Sequence, residues 1–574
     1  MRISSFRGFI PIHPPCLFIS PIDGSVIYPY AKFVVVESKS GTQSFLEGCD
    51  EKITCLDMSP KGRMIAAGQE GLRSDVIVWR YSNKSILFRF SEHDGGISCL
   101  SFSQDERLLA TYGNEGRLII WDMATGNIVT HHKFNPIETI KWGGRVPDVK
   151  GRPTPTFYLA TYGSQGISLH IIDPSTGSIT THNLPQGKVV RTVSSFAFTD
   201  THLFCSTESS DVLIFELHSR TLIKILPVGS KGVTYLYTSN DGGILASCGD
   251  GTLHSIDLNT SRKIYSCNHP IACIYNDHII TTDGCFISCN AGVVWESNPT
   301  TVTSIACCGS VSASSAVDKT VKVWDNDRLN CRLSFTANAR YSPTAVALSP
   351  NLLIVGYNNG AVNGFDFNTA EKLFEIQHCH HTEVSVCEIS PTKRFFATGG
   401  CDAAVRIWDI RTREILTHLK NHTMRVNSLK FVPSATHLYS SSDDMSVCLF
   451  DLKSEKMINQ LTCFDSGVTD IDISDKYLIA STHDGHLMKF CVSQSNDPIM
   501  KTKTKEITCM KVSPNGKKIA MGHRDGSVSL WDVETMRKND EMFVHSFDVT
   551  SVRFVSDERV MTAGADGGLS VLEV

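Results

Sequence analysis

The residues of this chain that could do chemistry recur at fixed spacing. His380, Thr398, Asp402 and Trp408 make one complete set, and His93, Thr111 and Trp121 make a second with Glu115 in the place of the aspartate. His422, Ser440 and Asp444 end on Phe450, and His545, Thr562 and Asp566 end on Leu572. In each set the acid follows the hydroxyl by four residues, the last position follows six later, and the His lies 17 or 18 before the hydroxyl. Histidine, hydroxyl and carboxylate are the parts of a nucleophile relay, but a relay is assembled once, around one substrate. A constellation that returns wherever a repeat returns reads instead as a buried hydrogen-bonded set that the fold needs. No catalytic residue is assigned, and the chain is expected not to be an enzyme.

The other candidates are sparser. His378, Cys379, His380 and His381 form a dense potential ligand cluster. A zinc site needs four converging donors, neighbours on a strand point to opposite faces, and His380 already belongs to its set; no metal is expected. Cys285 and Cys289 share a strand face by period-two counting and read as core. No Gly-x4-Gly-Lys-Ser/Thr loop, His-Glu-x2-His or Gly-x-Ser-x-Gly occurs, so neither a cofactor nor a small-molecule substrate is expected. The Asp-Gly pairs at Asp250, Asp283, Asp484, Asp525 and Asp566 read as hairpin turns. Two basic features are candidate partner contacts: Lys501, Lys503 and Lys505, which alternation places on one face of an outer strand, and Arg145, Lys150 and Arg152 within a Pro- and Gly-rich insertion from Gly143 to Thr156. A shorter insertion, Glu70 to Ser74, lengthens one turn.

The elements that must position these residues are set by a repeat. LLATYGNEGRLIIWD, SASSAVDKTVKVWD, FFATGGCDAAVRIWD and KIAMGHRDGSVSLWD are its clearest copies. With the Trp as anchor, or an apolar substitute, copies fall at Val36, Trp79, Trp121, Ile172, Phe215, Ile256, Cys289, Trp324, Phe365, Trp408, Phe450, Phe490, Trp531 and Leu572. Most gaps are 40 to 43 residues; those flanking Cys289 are 33 and 35, and the gap before Ile172 is 51. This is the period of the WD40 repeat, in which each copy supplies one four-stranded propeller blade. The expected fold is all-β, two seven-bladed WD40 β-propellers in tandem, with domains 1–295 and 296–574. The final copy stops after its third strand, so the apolar segment 3–10 is expected to pair with the last blade and cover its edge.

Composition narrows the partners. The 574 residues carry 54 basic and 59 acidic side chains, a net charge of −5, and 41% hydrophobic residues. A slightly acidic globular chain is not a nucleic-acid binder by charge. Most of the 20 cysteines sit in apolar β-rich runs, where a thiol packs as a small hydrophobe and a reducing, cytoplasmic setting is expected. No apolar stretch is suited to spanning a bilayer, and the first residues, interrupted by Pro11, Pro14 and Pro15, do not read as a signal peptide.

VIYPYAKFVVVESKSGTQSFLEG (Val26 to Gly48) followed by ITCLDMSPKGRMIAAGQEGLRSDVIVW (Ile53 to Trp79) resembles the start of the cilia- and flagella-associated protein 52 family of WD-repeat proteins. The Gly68-Gln69 turn and its insertion also resemble the echinoderm microtubule-associated proteins. The resemblance implies a non-enzymatic scaffold of the cytoskeleton, in the axoneme of cilia or flagella, that binds tubulin and neighbouring inner proteins inside the doublet microtubule. A competing expectation is a general WD40 adaptor of the ubiquitin-ligase or ribosome-assembly type.

Overall fold

The computed structural model describes every residue except 9–16, 149, 151, 188–189, 240–241, 276–277, 283–284, 290–291, 299, 339, 475 and 492–495, and only the backbone of 285 and 292–296. Among the described residues the fold is all-β, with 56 strands, no helix and fourteen four-stranded antiparallel sheets. The strands follow from alternating β-branched and apolar residues, and the turns from local side-chain bonds. In the Ser-Pro turns, Ser59 Oγ accepts the backbone N–H of Arg63 (3.1 Å) and Met64 (3.0 Å), and Ser513 Oγ accepts those of Lys517 (3.2 Å) and Lys518 (2.9 Å). A hydroxyl that satisfies two turn amides is why serine opens these hairpins.

The chain divides into two compact units, Met1–Gly8 with Ser297–Val574, and Phe9–Glu296. In the first, the innermost strands are Val302–Cys308, Pro343–Ser349, Val384–Ile389, Val426–Phe431, Val468–Ile473, Ile507–Val512 and Val549–Ser556. Each touches the next, and the last touches the first, so seven sheets form a closed ring. The final sheet is completed by Arg2–Arg7, which pairs antiparallel with Leu569–Glu573. Ile3 and Phe6 are buried in doing so; Phe9 and Ile10, the end of the expected pairing segment, lie outside the described residues.

The second unit also holds seven sheets, from Phe18–Ile19 through Leu46 to Ile271–Tyr275 through Glu296. Each of its sheets is built from four consecutive strands. Its first and last sheets meet through Phe18 and Tyr275, edge to face with ring centroids 6.3 Å apart.

The hydrophobic core lies between sheets rather than at one centre. Val405 and Ile407 of the Trp408 sheet pack with Phe431, Leu438 and Phe450 of the next, and the same pairing recurs around each unit. Close packing makes glycine necessary at some approaches: a Cβ on Gly399 would stand 2.7 Å from Val426 Cγ1, and one on Gly68 would stand 2.6 Å from the side chain of Ile97. The Gly of the Gly68-Gln69 pair is therefore fixed by sheet-to-sheet contact.

A second, polar stitch joins neighbouring sheets. Nearly every innermost strand carries a β-bulge after its first residue, and the bulged residue reaches across. Thr303 donates to the carbonyl of Pro343 (3.0 Å), Thr344 to Val384 (2.6 Å), Asn427 to Val468 (2.9 Å), and Ser385 to Val426. Ser194 to Val233 (2.6 Å) and Thr234 to Ile271 (2.7 Å) do the same in the other unit. The bulge turns the side chain out of the ladder, and each bond contributes roughly 0.5–1.5 kcal/mol net.

Candidate functional site

The complete polar set lies in the sheet of Val384–Ile389, Phe395–Gly400, Val405–Asp409 and Ile415–Leu419. Trp408 Nε1 donates to Thr398 Oγ1 (3.1 Å), the Thr398 hydroxyl donates to His380 Nε2 (2.9 Å), and His380 Nδ1 donates to Asp402 Oδ1 (2.8 Å). The ionised Asp402 can only accept, which puts the proton on Nδ1; Arg406 Nη1 also lies 2.6 Å from that nitrogen. Asp402 Oδ2 then accepts the His381 amide (3.2 Å) and Arg406 Nη1 (3.0 Å). Burial, only partly offset by Asp402, holds His380 at about 4. Burial alone would raise the Asp402 carboxyl, but its bonds to His380, His381 and Arg406 outweigh that and hold it well below the usual carboxylate range. His380 is a neutral link at neutral pH, with its hydroxyl partner fully buried, and the arrangement offers no nucleophile to a substrate.

The other sets follow the same wiring. His93 bonds Thr111 (2.9 Å) and Glu115, and Trp121 Nε1 donates to Thr111 (2.9 Å). His422 bonds Ser440 (2.6 Å) and Asp444 (2.9 Å), and His545 bonds Thr562 (2.8 Å) and Asp566 (3.1 Å). Other sheets are rewired: Trp79 Nε1 donates to the carbonyl of Glu47 (3.0 Å). In the Trp531 sheet Met521 occupies the hydroxyl position, and Ser529 instead accepts Trp531 Nε1 (2.9 Å) and bonds His523 Nε2 (2.7 Å). In the sheet assigned to Ile172, the anchor is His170. Leu159 pairs with His170 and Thr161 with Ser168, the relation that Leu109 and Thr111 bear to Trp121 and Ile119. His170 Nε2 sits 2.9 Å from Thr161 Oγ1 and Nδ1 sits 2.8 Å from Thr181 Oγ1, so an imidazole replaces the indole. The expected anchor Ile172 lies two residues further on and is core. Sequence spacing missed His170 because the turn between Gly163 and Gly166 is one residue shorter than that between Gly113 and Arg117, which puts the anchor nine rather than ten residues after its hydroxyl, and missed Ser529 because it stands two residues from its Trp rather than ten.

Cys289 also departs from expectation: it lies beyond the third strand of its sheet, Cys285–Ser288, so it does not anchor that strand; the expected pairing of its face with Cys285 falls on a side chain outside the described residues. Asp283 is likewise outside them. In the His378–His381 run, Cys379 is buried 3.5 Å from Thr398 Oγ1 and His380 is held in its set, so the four side chains do not converge.

The basic insertion is not a loop. Ile137–Pro147 and Pro153–Gly163 are eleven-residue strands that pair through Pro147 and Pro153, so Gly143 to Thr156 is a β-hairpin extending an innermost strand. Its turn is held by Asp148, whose Oδ1 accepts the amides of Lys150 (2.8 Å) and Arg152 (2.8 Å); Val149 and Gly151 are outside the described residues. Arg145 is engaged within the unit, 3.3 Å from Asp105 and 5.3 Å from the Phe157 ring centroid. Lys150 and Arg152 are exposed at the tip.

The lysine run is also corrected. The outer strand is Met500–Lys503, so Lys505 lies past its end. Lys501 pairs with Asp465 (2.6 Å), and Lys505 with Asp525 (2.6 Å) and Glu541 (2.7 Å); Lys503 is exposed on that strand and has no ion pair among the described residues. The run therefore does not present three unneutralised ammoniums on one face. In the Glu70–Ser74 turn, buried Gln69 does the organising: its Oε1 accepts the amides of Asp50 (2.7 Å) and Glu51 (3.0 Å).

Family models match parts of the chain: the WD domain, G-beta repeat at 220–257, 370–409 and 413–451; the Vps8 beta-propeller at 454–574; and the anaphase-promoting complex subunit 4 WD40 domain at 59–145. Over nearly its whole length the chain is similar to cilia- and flagella-associated protein 52. The protein from Chlamydomonas reinhardtii is 23% identical across 99% of this chain and 97% of its own length. Those from Sus scrofa and Homo sapiens are each 22% identical across 99% of this chain and 96% of theirs.

Proposed function

From a WD40-repeat chain homologous along its length to cilia- and flagella-associated protein 52, we propose a non-enzymatic scaffold of the axoneme of cilia or flagella. In this reading each unit is a seven-bladed propeller, and the chain binds tubulin and neighbouring proteins in the lumen of the doublet microtubule. The carrying observation is the reciprocal coverage: a generic adaptor would share single repeats, whereas here 99% of this chain aligns with 97% of the relative. The buried polar sets support a structural rather than a catalytic protein. The tip of the Gly143 to Thr156 hairpin, with Lys150 and Arg152 exposed on a backbone stiffened by pairing, is the contact best suited to an acidic surface such as tubulin's.

The test is retention. Tagged protein expressed in ciliated cells should remain with detergent-extracted doublets through a high-salt wash. Release into the first low-salt extract would instead favour the adaptor reading.

A further inference from the structure

The channel of the Ser297–Val574 unit carries charge that its own fold does not use. Counting from the first residue of each innermost strand, the fifth positions are Glu388, Lys430, Asp472, Lys511 and Arg553 in consecutive sheets, followed by Ala306 and Ala347 in the two that close the ring. The charged arc is mostly satisfied. Lys430 pairs with Asp472 (2.8 Å) and Lys511 with Asp470 (2.9 Å). Both aspartates also accept backbone amides of the adjoining sheet, Asp470 from Met510 (3.0 Å) and Asp472 from Val512 (2.9 Å).

The two ends of the arc are different. Arg553 donates Nη1 to the carbonyl of Val552 (2.9 Å) and has no carboxylate at ion-pair distance among the described residues. Glu388 has no direct cation partner there either; it feels Lys430, Lys511 and Arg553 only at longer range, and burial pushes its carboxyl up despite them. Between these two ends, going the short way round the ring, stand only the alanines. Ala306 and Ala347 leave a gap that opens into a cavity of about 210 Å³, with Glu388 and Arg553 in its wall together with the aspartate-paired Lys430 and Lys511, and Val346 and Leu348 beside the alanines. That is far more than the roughly 10–15 Å³ one water needs, and too little for a folded segment.

We propose that this channel binds a small zwitterion of the α-amino-acid type, its carboxylate on Arg553 and its ammonium on Glu388, with the alanine gap taking the carbon frame. A simple anion would leave the half-buried Glu388 without a counter-charge, and a simple cation would leave the half-buried Arg553 so; a group carrying both charges serves both ends. The inference is independent of the axonemal reading.

Calorimetric titration of the full chain with glutamine, acetate and methylammonium, each alone, tests it. Glutamine should bind at least tenfold tighter than either single-charge probe, and Glu388→Gln and Arg553→Gln should each weaken it tenfold or more. Ala347→Leu, which keeps every charge and fills the gap, should abolish binding while the melting temperature reports an intact ring. Equal affinity for acetate with no effect of Glu388→Gln would reduce the site to an anion site and overturn the proposal. Absence of heat with all three probes would overturn it outright.

Discussion

The two units close in different ways. In the unit of residues 297–574 the last sheet borrows Arg2–Arg7 as its outer strand, so that sheet is shared between distant stretches of the chain by backbone hydrogen bonds. In the unit of residues 9–296 the first and last sheets are each complete and meet through side chains, Phe18 against Tyr275. Opening the first closure requires stripping a strand from a ladder; opening the second separates side-chain packing, Tyr275 lying against the cluster of Phe18, Ile27 and Val36. Sub-global opening begins where few buried contacts oppose it, so the second unit is expected to open first.

The largest effect should come from Phe6→Ala. Phe6 is fully buried in the borrowed strand, and truncating a buried phenylalanine costs about 3–5 kcal/mol. Chemical unfolding followed by hydrogen exchange should show that loss in 297–574 and none in 19–270. Uniform destabilisation of both units would show that closure is not local. Tyr275→Ala should do the reverse more gently, by about 1–2 kcal/mol for a partly buried ring with one aromatic partner, and exchange should rise in Ile271–Tyr275 and its neighbours.

Acid sharpens the comparison further. His380 in one unit and His170 in the other are both held at about 4 by burial, against an ordinary 6.5. The unfolded chain therefore takes up these protons first, and stability is full above about pH 6.5 and lost as pH falls toward 4. Below that window the two histidine sites should part. Asp402 has a depressed carboxyl, so its contribution persists above the ordinary carboxylate pKa and is lost only as pH falls further; His170 is bonded to threonines and has no such second phase. Asp402→Ala should cost about 1–3 kcal/mol at neutral pH by leaving the buried His380 and Arg406 without their carboxylate, and should remove its share of that lower-pH phase. A wild-type-like melting profile for this variant at every pH would refute the stabilising role of the set.

Much of this was legible in the sequence, and the failures share a cause. The repeat period and the Trp408 set could be read because spacing alone specifies them: a hairpin of fixed length brings residue ten before the Trp under its indole. Where hairpin length changes, spacing points to the wrong residue, as at Ile172 against His170. The hairpin of Gly143 to Thr156 was hidden by Pro147, Pro153 and Gly144, which signal a loop, although proline at the end of a ladder is compatible with pairing. Lysine pairing was hidden because Asp465, Asp525 and Glu541 come from other turns and strands, a relation that only the register of neighbouring sheets supplies. The bulge residues Thr303, Thr344, Ser385 and Asn427 carry a readable signal, a hydrogen-bonding residue second in each innermost strand of the 297–574 unit, that a Trp-centred repeat does not display.

The smallest effect on stability and the largest on binding should coincide at the hairpin tip. Lys150 and Arg152 are exposed there, their backbone amides rather than their side chains hold the turn, and Arg145 is occupied by Asp105. Replacing both with serine therefore leaves the fold's own bonds in place, and the melting temperature should not move. If the tip meets an acidic surface, the same double variant should wash out of doublets at lower salt than the wild type, because removing cations from an interface weakens it most where screening is already competing. Lys503→Ser is the matched control in the other unit: one exposed cation on an outer strand, equally neutral for folding. Loss of retention with the hairpin variant alone would assign the contact to the 9–296 unit; loss with Lys503→Ser alone would move it to the 297–574 unit; full retention of both would place the binding surface away from basic side chains altogether.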